Sequence, residues 1–203
     1  LGLEANKKIN YDVKGKAFYV RAYAGKFIST NNNADNSRFY LNTTFSGVND
    51  YLMEGIYFGR NKNEGNGATQ VSLQEGAFKM PTNRYASPIG RTDDWLLAIN
   101  LKTDLPFGKL PIRFYADFAT FADAKRLNPS GNNIVFNSGL EWRLFGEAIY
   151  IYIPLFNSTD FSNYQKEMYP KNKFLNSIRF SFNLQNFNFI RSNDAAIKAI
   201  SKI

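Results

Sequence analysis

Over much of the chain, apolar and polar residues alternate with a period of two, and the polar parity carries charge in the middle of long runs. That pattern commits a segment to β-structure, because successive side chains of a strand point to opposite faces. From Ser177 to Leu184, Ile178, Phe180, Phe182 and Leu184 oppose Ser177, Arg179, Ser181 and Asn183. Phe136, Leu140, Trp142 and Leu144 oppose Asn137, Glu141 and Arg143, and Ile112, Phe114, Ala116 and Phe118 oppose Arg113, Tyr115 and Asp117. Trp95, Leu97, Ile99 and Leu101 oppose Ala98, Asn100 and Lys102; Phe18, Val20, Ala22 and Ala24 oppose Tyr19, Arg21 and Tyr23.

A soluble sandwich alternates too, so alternation alone does not say which face is buried. Two features favour a transmembrane sheet. Arg21, Arg113, Asp117, Glu141, Arg143 and Arg179 sit mid-strand, as expected where the non-lipid face lines a charge-paired lumen. The runs are roughly 10 to 13 residues, nearer to a tilted membrane strand than to the ~5 to 6 residues usual in soluble sheets.

The pattern predicts nine strands, near 2–12, 16–29, 37–46, 69–79, 94–104, 110–121, 133–144, 147–156 and 174–185. Short connections at 13–15, 105–109 and 145–146 alternate with long ones at 80–93, 122–132 and 157–173, the habit of outer-membrane barrels. Segment 46–70 breaks the rule: it should be a short turn, and is instead an unassigned loop, folded element or plug. An odd count is also unusual for a single-chain bacterial barrel, which points to a missed strand or to strands supplied upstream. Residues 186–203, with Ile197, Ile200 and Ile203 at helical spacing, read as a short amphipathic tail. The expected fold is therefore all-β: an antiparallel transmembrane β-barrel, the C-terminal half of a larger one, over 1–185, then the tail.

Composition narrows the chemistry. The 203 residues contain no His and no Cys, which excludes Ser-His-Asp triads, Cys-His pairs, thiolate metal sites and the H-E-x-x-H zinc helix. No catalytic, cofactor-binding or metal-binding residue is expected. No apolar stretch approaches the ~20 residues a membrane helix needs. The start, Leu1-Gly2-Leu3-Glu4, lacks a signal-peptide pattern, consistent with a removed signal or with a piece of a longer chain. A charge of +8, from 25 Lys and Arg against 17 Asp and Glu, leaves nucleic acid, anionic lipid or an acidic partner open.

Asp93-Asp94, Asp117 and Glu141 could be paired acids for glycoside chemistry. Pairing of Asp117 and Glu141 with Arg113, Arg143, Arg179 or Arg21 on neighbouring strands is favoured, since an unpaired charge in a narrow barrel is costly. Tyr19, Arg21, Tyr23 and Lys26 could stack single-stranded nucleic acid. Against that, Trp95, Phe107, Tyr150, Tyr152, Phe174, Phe187 and Phe189 fit interfacial girdles, and Trp95, Phe114, Trp142, Ile178, Phe180 and Phe182 are expected to face lipid, so nucleic acid is not the expected partner. Asn31-Asn32-Asn33 and Gly65-Asn66-Gly67 are loop chemistry without Walker spacing.

Two sets of motifs carry a resemblance. Leu110-Pro111-Ile112-Arg113-Phe114-Tyr115-Ala116-Asp117, then Gly139-Leu140-Glu141-Trp142-Arg143-Leu144-Phe145-Gly146, Tyr150-Ile151-Tyr152-Ile153-Pro154-Leu155 and Ile178-Arg179-Phe180-Ser181-Phe182-Asn183-Leu184 follow in order. This series resembles the end of bacterial surface-antigen barrels of the outer membrane. With Val20-Arg21-Ala22-Tyr23-Ala24-Gly25-Lys26-Phe27 and Ile56-Tyr57-Phe58-Gly59-Arg60, it resembles more closely the C-terminal barrel of gluzincin-like metallopeptidase fusions of Gram-negative bacteria. The resemblance implies a barrel anchoring a larger, peptidase-bearing protein in the outer membrane, with lipid and further segments or subunits as partners. The zinc helix of such fusions lies upstream, so no catalysis is expected in this chain. The alternatives are a protein-translocating or solute pore of the surface-antigen superfamily and a soluble lipocalin-like ligand carrier. Barrels of this superfamily carry a lumen-inserting loop with an Arg-Gly-aromatic signature; the nearest match here is Tyr57-Phe58-Gly59-Arg60.

Overall fold

The computed structural model of the chain describes residues 1–12, 15–28, 39–41, 71, 75–80, 89–106, 110–168 and 174–183. Segment 46–70, including Tyr57-Phe58-Gly59-Arg60, and the tail 186–203 lie outside the described residues. The dominant element is a seven-stranded sheet made of β1 (Gly2–Asn10), β2 (Ala17–Lys26), β5 (Trp95–Asp104), β6 (Ile112–Phe121), β7 (Val135–Leu144), β8 (Ile149–Asn157) and β9 (Arg179–Phe182). Its spatial order is its chain order and every neighbouring pair is antiparallel. Two short strands, β3 (Phe39–Tyr40) and β4 (Arg91–Thr92), pair with each other apart from it. Helices are minor: α1 (Ala124–Leu127), α2 (Thr159–Met168) and a 3-10 turn at Leu175–Ser177. None of the described helices is long and apolar enough to cross a membrane, which bears on helices only.

The described residues of the expected strands at 37–46 and 69–79 do not join this sheet. Of 39–41 in the first, Phe39–Tyr40 are strand in the separate pair, and the described residues at 71 and 75–80 are not strand. β2 pairs directly with β5, so in this sheet the link after β2 runs from residue 27 to residue 94. The links after β1, β5 and β7 are short and those after β2, β6 and β8 are long. In an antiparallel meander this puts the long links at one end of the sheet and the short ones at the other.

Register explains the motif around Gly139. Ser138 pairs with Phe156 and Gly139 with Pro154, leaving Leu155 as an extra residue in β8. Such a bulge tolerates a proline that cannot donate to the ladder. The backbones approach so closely that a Cβ on Gly139 would lie 2.1 Å from the Ile153 carbonyl oxygen. The extra residue also turns Leu155 and Phe156 to the exposed side together.

The two faces of the sheet differ in an unusual sense. Rows of directly paired residues such as Ala5, Ala22, Ile99, Phe118 and Phe136, or Ile9, Phe18, Thr103, Phe114, Leu140 and Ile153, make one face almost wholly apolar. On that face Leu97, Ile99, Phe114, Phe118 and Trp142 are between 36% and 48% exposed. The opposite face is buried, and it is the charged one: Arg113, Asp117, Glu141 and Arg179 are at most 6% exposed.

Among the described residues, the charged face is covered by parts of the long connection, at 39–41, 75–80 and 89–90, and by α2. At the long-link end, Phe78, Met80, Leu41 and Ile89 pack with Leu96, Phe121, Val135 and Phe161 of α2 in an apolar cluster, and the Phe78 and Phe161 rings meet edge-on at 5.7 Å. Asp160 holds α2 to the β6–β7 link by accepting from Ser130 N and Oγ at 2.7 and 2.6 Å.

Candidate functional site

The middle of the buried face carries a polar row across six strands. Asn6, Arg21, Asn100, Asp117, Asn137 and Asn157 stand directly opposite one another in turn. Several neighbours along the row bond to each other, and Arg21 also reaches Glu4 of the adjacent row. Arg21 Nη2 reaches Glu4 Oε2 at 2.6 Å and its Nη1 donates to Asn100 Oδ1 at 2.9 Å; Asn100 Nδ2 donates to Asp117 Oδ1 at 2.9 Å. Asn137 Nδ2 donates to Asn157 Oδ1 at 2.5 Å.

Segment 75–80 lies across this row and is bonded to it. Arg21 Nη1 donates to the Glu75 carbonyl at 2.7 Å, Asn100 Nδ2 to the Gly76 carbonyl at 3.0 Å, and Lys79 Nζ contacts Asp117 Oδ1 at 2.6 Å. Upstream of it, Val71 N donates to the Phe180 carbonyl of β9 at 2.9 Å. The sheet thus satisfies main-chain carbonyls of an irregular segment with its own side chains, as a buried non-strand backbone requires.

Toward the short-link end, past the row of Lys8, Tyr19, Lys102 and Tyr115, stand Asp104, Arg113, Glu141, Tyr152 and Arg179 in one row. Arg113 is its hub: Nε meets Asp104 Oδ1 at 2.9 Å, Nη1 meets Glu141 Oε1 at 3.4 Å, and Nη2 meets Glu147 Oε1 at 3.3 Å and donates to Tyr19 Oη at 2.9 Å. Its guanidinium also stacks over the Tyr19 ring at 4.4 Å. Arg143 bridges Asp104 and Glu147 at 3.0 and 2.6 Å, and Lys102 Nζ meets Glu141 Oε2 at 2.5 Å. Three carboxylates are thereby matched by three cations, the condition under which burying charge is tolerable. Glu147 sits in the β7–β8 link at φ 69°, a left-handed value disfavoured for a non-glycine residue. Burial pushes its carboxyl up, but the hydrogen bond from Arg143 and the charges of Arg113 and Arg143 hold it below the usual carboxylate range.

The expected charge network is therefore brought together only in part. Arg113, Glu141 and Arg143 share one cluster. Arg21 belongs to the polar row, and Arg179 donates to the carbonyls of Asn176 and Ile178. The expected pairing of Asp117 with an arginine is corrected: its cation is Lys79, from outside the sheet. Tyr150 and Tyr152, expected in an interfacial girdle, instead point to the charged face, where Tyr150 Oη donates to Glu147 at 3.2 Å and Tyr152 Oη bonds Ser181 Oγ at 2.9 Å. Trp95, Phe114, Trp142, Ile178, Phe180 and Phe182 are all partly or fully exposed, and Phe114, Trp142, Phe180 and Phe182 stand in rows of the apolar face. Asp93 and Asp94 are exposed, with Asp94 3.8 Å from Lys26. Phe107, Phe187 and Phe189 lie outside the described residues.

Missing from the expected set are Lys79, Lys102, Asp104 and Glu147. Lys102 and Asp104 share the parity of Asn100, and a register would have put them beside Arg113 and Glu141; nothing local singles out Lys79. Among the described residues no cluster of three or more His, Cys, Asp or Glu could hold a metal ion. No family model, curated protein or solved structure matches the chain.

Proposed function

We propose that the chain is a membrane-embedded antiparallel β-barrel, or the C-terminal half of one, anchoring a larger, peptidase-bearing protein in the Gram-negative outer membrane, with no catalysis of its own. The observation that carries the membrane reading is the inverted burial of the sheet: apolar rows exposed, charged rows buried. Leaving a large apolar side chain in water forgoes roughly 1.5–3 kcal/mol relative to burying it. A whole face of them suits acyl chains and not an aqueous surface. The same inversion speaks against the lipocalin-like carrier. The nucleic-acid reading weakens as well, because Tyr19 and Arg21 are spent on Arg113 and Glu4.

That the sheet is part of a larger barrel is supported by its edges. All of β1 is exposed, and among the described residues nothing pairs with its outer edge. Open strand edges are not tolerated in hydrocarbon, so further strands or a closing partner must cover it. The peptidase connection and the outer-membrane location rest on the motif resemblance alone. The pore alternative is disfavoured by segment 75–80, which lies on the polar face where a conduit would run.

Flotation tests this. Full-length chain reconstituted with phosphatidylcholine vesicles should rise with them through a sucrose gradient and resist carbonate extraction. Monodisperse protein that stays in the aqueous phase without detergent would overturn the membrane reading. Single-channel recording in planar bilayers addresses the alternative: the occupied polar face predicts no steady conductance, and stable openings would restore the pore.

A further inference from the structure

Between the first strands and segment 75–80 lies a cavity of about 410 Å³ on the charged face. Lys7, Lys8, Arg21, Lys79, Lys102 and Arg113 line it, with Tyr19, and among the described residues no Asp or Glu does. The carboxylates that neutralise four of these cations, Glu4, Asp117, Glu141 and Asp104, lie outside the lining. Lys8 has no carboxylate partner among the described residues; its ammonium stands 5.5 Å from the Tyr19 ring centre. Lys102, whose side chain is 22% exposed, contacts a single carboxylate oxygen, so two of the three donors of its ammonium remain for another acceptor.

We propose that this cavity is a binding site for a phosphoryl group of a small soluble solute, held by the ammonium groups of Lys8 and Lys102. A phosphoryl group carries close to two negative charges and three acceptor oxygens, which suits several converging cations better than a single carboxylate does. The volume exceeds that of a bare phosphate and falls in the range of small-molecule sites. Most of its lining, including Lys8, Tyr19, Arg21, Asn100 and Lys102, stands on the face opposite the apolar rows, away from a lipid headgroup whose chains lie on those rows. The inference does not depend on the sheet being in lipid, because the cations that carry it are held by β1, β2 and β5 themselves.

Calorimetric titration of the full chain, kept folded in detergent or buffer as it requires, tests it with pyrophosphate and inorganic phosphate as probes. Pyrophosphate should bind more tightly than phosphate, and more weakly as NaCl is raised. Lys8→Gln and Lys102→Gln should each weaken binding about tenfold, the loss of one charge-assisted contact. Lys8 is exposed on β1 with no ion pair to break, so its variant should fold. Lys125→Gln, in α1 at the other end of the sheet, should bind as the parent does. No pyrophosphate binding at millimolar concentration, or undiminished binding by Lys8→Gln, overturns the site. So does association with phosphatidylglycerol vesicles that persists where pyrophosphate does not bind.

Discussion

The Lys79 ammonium lies 2.6 Å from Asp117 Oδ1, and the two side chains are 1% and 0% exposed. Removing one member of such a pair strands the other, at a cost of about 3–5 kcal/mol. Asp117→Asn and Lys79→Met should each destabilise the fold by about that amount in urea unfolding monitored by Trp fluorescence. The double variant Lys79→Met with Asp117→Leu should recover much of the loss. A double variant as unstable as the sum of the singles would mean that the pair is not coupled.

Gly139 faces the Ile153 carbonyl so closely that no side chain fits. Gly139→Ala forces the β7–β8 backbones apart and should cost about 1–3 kcal/mol, as overpacking does. Gly131, where an added Cβ meets nothing within 4 Å, supplies the contrast: its φ of 70° makes Gly131→Asn the tolerated exchange, with little change in the unfolding midpoint.

Glu147 ties the β7–β8 link to Arg113 and Arg143. Its carboxyl is held below the usual carboxylate range, so its stabilising contribution is fully present above the ordinary Glu value of about 4.3 and is lost as pH falls through the depressed folded value. Unfolding free energy measured from pH 6 down to pH 3 should fall less steeply in Glu147→Gln than in the parent. Parallel curves would remove Glu147 as a contributor.

Phe118 stands in an apolar row between Ile99 and Phe136 and is 38% exposed. If that face meets lipid, Phe118→Arg should lower stability in vesicles by about 2–4 kcal/mol near the midplane and reduce flotation. On a water-facing sheet the same change would leave stability within about 0.5 kcal/mol and improve solubility. Opposite outcomes make this substitution decisive for the medium around the sheet.

The sequence by itself determined which residues share a face. Period two does not depend on what a strand packs against, so the parities at Ile112–Phe118, Phe136–Leu144 and Ile178–Phe182 were legible before any pairing was known. Its uniformity misled at 75–79, where strand-like composition belongs to an irregular segment that crosses the face. Tertiary structure decided the register, and with it that Asp104, Arg113 and Glu141 fall in one row. It also decided that Lys79, 38 residues from Asp117 in sequence, supplies that carboxylate's counter-ion. Alternation fixes direction but not translation along a strand, and a partner brought in by a long connection leaves no local trace, because chain closure places it from afar.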